Sequence, residues 1–181
     1  MTLTSRSALP MALLVFGFSI PAAAPRPSAE YSLDDATALA TFEDLISYDI
    51  ETAGIAAKKD PNADVRKVAS GFLNDHTGLL KHTKELATKL NISPTPPAEA
   101  PMGQAHAEAL RKLNATTGQE FDRVFLANEI AYHSGAIEIL RDSLAPAIQN
   151  PDLKAAVLAA VPAFQGHLAA SQALANKYHV M

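Results

Sequence analysis

Apolar positions recur every three or four residues along four long stretches of the chain, and no stretch alternates with the period of a strand. In the first, Leu39, Phe42, Ile46, Asp49, Ala53 and Ala56 share one stripe, with Ile50 beside it. The second carries Val65, Val68, Phe72, His76, Leu79, Thr83, Leu86 and Leu90. The third carries Leu126, Ile130, His133, Ile137, Leu140 and Leu144, and the fourth Leu153, Val157, Ala160, Phe164, His167, Ser171, Leu174 and Tyr178. Narrow stripes of this kind belong to helices packed at shallow angles. The pattern predicts an all-α fold, an antiparallel four-helix bundle.

Caps and prolines set the expected boundaries. The first helix opens at Ser32, with Asp35 as a capping-box-like partner, and runs to about Lys59 before Asp60-Pro61. The second starts at Pro61, tolerated in a first turn, and ends near Leu90, with Asn91 closing it. Residues 92–103 hold Pro94, Pro96, Pro97 and Pro101 and must be loop; a short helix follows over Gln104–Leu113. The third long helix starts with Thr117 and Glu120, another box, and ends near Leu144, before Pro146. The fourth starts at Asn150-Pro151-Asp152 and runs to about Tyr178, with an expected kink at Pro162. Short links make the first pair and the second pair antiparallel neighbours. The long connection between helices 2 and 3 can run the length of the bundle, as a ferritin-like crossover does.

The N-terminus changes the picture of where this bundle works. Arg6, the apolar run Ala8–Ile20 and the small residues Ala22-Ala23-Ala24 read as a signal peptide over 1–24. Pro25 directly after them leaves the cleavage point open. Residues 25–31 then form a flexible lead-in, and 32–179 the bundle domain. The expected destination is the periplasm or cell envelope, with no transmembrane span in the mature chain. The net charge of −4 and the lack of a Lys/Arg run argue against nucleic acid as a partner. The absence of cysteine excludes disulfides, thiolate metal sites, a Cys nucleophile and a lipobox.

Three of the six histidines carry the candidate chemistry. His76, His133 and His167 occupy stripe positions where Leu or Ile is expected, one on each of three helices. Each lies roughly 22 Å from the nearest turn at 1.5 Å per residue, so all three fall near mid-bundle. Imidazoles that converge there can bind a transition metal, or they can serve as satisfied polar positions that fix register. Glu129, one turn before His133, joins the candidate metal set. Asp49 and Glu51 fall roughly 8 Å shallower than His76 on the same count. Asp75 points about 100° away from its neighbour His76. His82, His106 and His179 lie off the stripes and are expected at the surface. The sequence contains no phosphate-binding glycine loop, no H-E-x-x-H and no G-x-S-x-G.

Several segments resemble a known family: Asp49-Ile-Glu51; Asp64-Val-Arg-Lys-Val-Ala69 leading to Asn74-Asp75-His76; Phe121-Asp-Arg-Val-Phe-Leu126 leading to His133; and Val161-Pro-Ala-Phe-Gln-Gly-His167-Leu. The chain is similar to the bacterial exported ferritin-like family catalogued as domain of unknown function 4142, whose members are often labelled outer-membrane proteins. That resemblance implies a ferritin-like fold and export, but no assigned activity. A related exported family has His-His where this chain has Tyr132-His133, so that family's metal binding does not carry over intact. Di-iron bundles place E-x-x-H on two helices; here Leu73 and Phe164 stand three residues before His76 and His167, which disfavours di-iron. The leading expectation is a non-enzymatic envelope or stress-related protein, structural or binding, that meets a protein partner or forms a homo-oligomer. The alternative is a bundle that binds a transition metal through His76, His133, His167 and Glu129. A second alternative is an enzyme using Glu129 and His133 as a base pair.

Overall fold

The computed structural model describes residues 33–59 and 61–180. The expected signal peptide, the lead-in and Ser32 lie outside the described residues. Helix α1 spans Asp35–Lys59, α2 Ala63–Leu90, α3 Gly103–Ala115 and α4 Gly118–Glu138. A π-helical segment, Ile139–Leu144, continues α4 into a single turn, α5, Ala145–Ala147, and α6 spans Pro151–Tyr178. The described residues contain no strand and are all-helical apart from their turns and loops.

Several helix ends differ from the sequence expectation. Asp34 opens α1: its carboxylate accepts the Thr37 N–H at 2.7 Å. Asp35 is thereby free to reach the far side of the bundle end, where it accepts the N–H groups of Gln149 and Asn150 at 2.7 and 3.0 Å. Asn62, not Pro61, caps α2 by accepting from Asp64 N–H. Asn91 closes α2 in the left-handed conformation at φ 54°. The Thr117–Glu120 box does not form: Thr117 makes no side-chain cap bond, and Gly118 turns the chain at φ 62°. Helical structure outlasts Leu144 because the wider π-helical turn relieves the clash between the Pro146 ring and the preceding carbonyls. Pro162 does not interrupt α6, and it sits on the exposed side, where water can satisfy the freed carbonyl.

Helices α1 and α2 form one closely packed pair, and α4 and α6 the other. The connection from α2 bonds Thr95 N–H to Ala36 C=O near the start of α1. It ends where Lys59 Nζ donates to Leu113 C=O at 2.7 Å, at the far end of α1. The connection therefore runs the length of α1, with α3 packed between α1 and α4. Lys177 and Tyr178 at the end of α6 meet Asp64 at the start of α2, so α6 runs antiparallel to α2.

The core has two apolar parts. One gathers Leu39, Phe42, Ile46, Leu140, Leu153 and Phe164. The other gathers Val65, Ala69, Leu113, Phe121, Phe125 and Leu126. Between them lies a buried polar layer that includes Asp49, Thr52, His76, Glu129, His133 and His167. By length and composition alone, helix α6 is apolar enough to cross a bilayer. Its alanines supply that hydropathy, while its buried face carries His167 and Ser171 into the bundle.

Candidate metal centre

Each long helix contributes one side chain to a single point in the polar layer: Asp49 from α1, His76 from α2, His133 from α4 and His167 from α6. One donor atom from each lies within 4.8 Å of all the others. Asp49 and His133 are 0% exposed, His76 1% and His167 6%. The three histidines that the stripes singled out do converge.

Asp49 corrects the depth count. Its Oδ2 lies 2.8 Å from His76 Nε2 and 3.9 Å from His133 Nε2. Side chains lean toward the N-terminus of their own helix. In the antiparallel α1–α2 pair, Asp49 and His76 therefore lean toward each other and close the offset that counting Cα positions leaves open. Asp75 points off the face of His76 and holds a different ring: its Oδ2 accepts from His167 Nε2 at 3.0 Å. That contact depends on the α2–α6 register, which the sequence does not specify.

Hydrogen bonds fix two tautomers. His133 Nδ1 lies 2.9 Å from the Glu129 carbonyl, which can only accept, so Nδ1 carries the proton. Its Nε2 lone pair faces the interior with no partner. His167 donates through Nε2 to Asp75, leaving Nδ1 as an acceptor 3.1 Å from His76 Nε2. Asp49 Oδ2 has its short contact with His76, while Oδ1 has no hydrogen-bond partner. Phe72 stacks on His167 at 4.1 Å between ring centroids, and Phe164 meets His76 edge-on at 4.9 Å. These rings hold the imidazoles from the apolar side. Fully satisfied register-fixing residues would leave no buried acceptor over; here His133 Nε2 and Asp49 Oδ1 remain without a partner beside the other donors.

Glu129 is fully buried beside the cluster. Its Oε2 lies 3.5 Å from His133 Nδ1, and its Oε1 accepts from Thr52 Oγ1 at 3.2 Å. The His133 proton is committed to the main chain, so the two side chains meet without forming a base pair through it. Burial and the nearby Asp49 charge push the Glu129 carboxyl well above its usual range. Burial also pushes Asp49 up, but contact with His76 and attraction to His76 and His133 outweigh it and hold Asp49 at about 2. Burial lowers His133 to about 4, against the pull of Asp49. Burial lowers His167 too, opposed by Asp75. At neutral pH the cluster thus offers one carboxylate and two neutral imidazoles, in the protonation states that bind cations.

The Glu129 shift has a measurable consequence. A carboxyl raised in the folded state contributes stability below its unfolded value near 4.5, and that contribution is lost as pH rises toward the folded value. Glu129→Gln keeps the neutral shape and removes the titration. The stability of Glu129→Gln relative to the parent should therefore grow above pH 4.5, by about 1.4 kcal/mol per pH unit until the folded carboxyl ionises. Urea unfolding of the metal-free proteins across this range would measure it, and a pH-independent difference would contradict it.

Of the outlying histidines, His82 and His179 are exposed as expected. His106 is not: its ring, 10% exposed, stacks on Tyr48 at 4.2 Å and reaches Glu51 Oε2 at 3.0 Å, tying α3 to α1. Tyr132, at the paired-His position of the related family, donates its hydroxyl to the Leu45 carbonyl.

A family model described as domain of unknown function (DUF4142) matches residues 20–174. The chain belongs to the DUF4142 family. The match covers all four donor positions of this DUF4142 chain. Among solved structures, the DUF4142 chain is similar to one titled "CopM in the Cu(II)-bound form", with a TM-score of 0.64 and 18% identity. The alignment covers 80% of this chain and 97% of that one, and at this identity it shows a shared helical fold. No curated protein matches the chain.

Proposed function

We propose that this DUF4142 protein is an exported, ferritin-like four-helix bundle that binds one transition-metal ion through Asp49, His76, His133 and His167. On this reading residues 1–24 are a signal peptide and 25–31 a lead-in, delivering the bundle 32–179 to the periplasm or cell envelope. The long connection along α1 and the order of the four long helices support the ferritin-like arrangement.

The observation that carries the reading is four buried donors, one from each long helix, within 4.8 Å of one another, with Asp49 Oδ1 and His133 Nε2 left without a hydrogen-bond partner. A buried carboxylate that is only partly paired is costly, and a bound cation removes the cost. Three imidazoles and one carboxylate, with no thiolate, suit copper(II), zinc, nickel or iron, and copper(II) has the highest intrinsic affinity for such a set. The similar structure carrying Cu(II) is compatible with that preference. Asp75 and the Glu129 carbonyl act behind the ligands, orienting His167 and His133. A second ion lacks ligands, because Leu73 and Phe164 occupy the glutamate positions of di-iron bundles.

The test is metal content. Purified protein is offered copper, zinc, iron and nickel in turn, desalted, and analysed by elemental mass spectrometry. One ion per chain is expected, and none in a His76→Ala, His133→Ala, His167→Ala variant whose circular dichroism remains helical. No ion retained by the parent, or equal retention by the variant, overturns the reading.

A further inference from the structure

The donors are not equally remote from solvent. His167 is the least buried of them, and its Nε2 is held by the Asp75 carboxylate, which is 66% exposed. Asp75 stands at the edge of a groove of ≈ 280 Å³ between α2 and α6. The floor of that groove is formed by His76 and His167, and its α6 wall by Ala156, Ala159, Ala160 and Ala163. His76, lining this groove while 1% exposed, keeps Nδ1 without a partner. One ring therefore joins outside to inside: His167 touches Asp75 through Nε2, while its Nδ1 lies 3.1 Å from His76 Nε2, within the donor cluster.

We propose that the α2–α6 groove is the entry port of the metal ion, with Asp75 its first contact and His167 the ring that passes it inward. This inference rests on the metal-binding reading above. A hydrated divalent cation must exchange its waters for protein donors step by step. The alanine wall has no side-chain donor or acceptor that could trap it on the way. Asp75 supplies the negative charge at the rim, and its exposure makes that attraction sensitive to salt. The small alanine side chains leave the groove open, and larger ones would fill it. Ala159 and Ala163 are both exposed, so enlarging them disturbs no core contact.

The experiment is stopped-flow loading with Cu²⁺, followed by quenching of tyrosine emission, since the chain has no tryptophan. The double variant Ala159→Phe, Ala163→Phe should load at least tenfold more slowly than the parent and reach the same copper content. Ala127→Phe, on the exposed side of α4, should load at the parental rate. Asp75→Asn keeps an oxygen for His167 but loses the charge. It should load several-fold more slowly at low salt and lose the parent's salt dependence. Parental loading rates in the double variant, or equal slowing in Ala127→Phe, overturn the port. Unchanged salt dependence in Asp75→Asn overturns the role of Asp75. If the parent takes up no copper at all, the metal-binding reading fails and the port with it; copper bound at an unaltered rate refutes the port alone.

Discussion

Cu²⁺ supplied at a thousand times its dissociation constant should raise the unfolding free energy by about 4 kcal/mol. For a domain of this size that is a rise in Tm of about 8–16 °C. The effect is large because the donors sit on four separate helices, so unfolding must break the whole set. Asp49 lowers the dissociation constant itself, since the ion neutralises a charge that the metal-free fold buries at 0% exposure. Thermal unfolding followed by circular dichroism, with and without copper and then with excess chelator, measures it. The chelator should return Tm to its starting value, and His133→Ala should show no shift. A Tm indifferent to copper would refute the site.

Phe164→Ala should destabilise the metal-free protein by about 3–5 kcal/mol, the usual range for deleting a fully buried Phe. Phe164 is 0% exposed and belongs to the apolar cluster that borders the polar layer. Its ring packs against His76 at 4.9 Å and His133 at 5.6 Å. The cavity would open beside the imidazoles, so copper affinity should fall along with stability. Phe164→Leu retains most of the volume and should lose less of both. Urea unfolding and copper titration of the two variants provide the comparison; a loss below about 1 kcal/mol in Phe164→Ala would show that the site stands without this support.

The stripes were legible because helical periodicity is local. Leu39, Phe42, Ile46, Asp49, Ala53 and Ala56 were read as one face of α1, and all six are buried. His76, His133 and His167 stood out for the same reason: each interrupts a run of apolar positions. The partners of those rings were not legible. Asp49 was misplaced because residue counting gives the height of Cα atoms and ignores which way side chains lean. Asp75 and His106 were missed because their contacts depend on the register between α2 and α6 and on where α3 docks, which are set by packing across the molecule. The Thr117–Glu120 box shows the opposite failure: a valid local signal lost to Gly118, whose left-handed turn starts α4 another way.

The spread of the donors along the chain also governs timing. Asp49, His76, His133 and His167 lie in four different helices, and no two donors share one. A short helical motif with two ligands one turn apart can seize an ion while the rest of the chain is still unfolded; this chain has no such clamp. Until α6 docks against α2, His167 is missing from the set and Asp75 has no ring to hold. On the metal-binding reading, acquisition of the ion would therefore be a late event that follows assembly. A chain threaded across a membrane in extended form would arrive without its ion and would have to draw it from the compartment in which it folds.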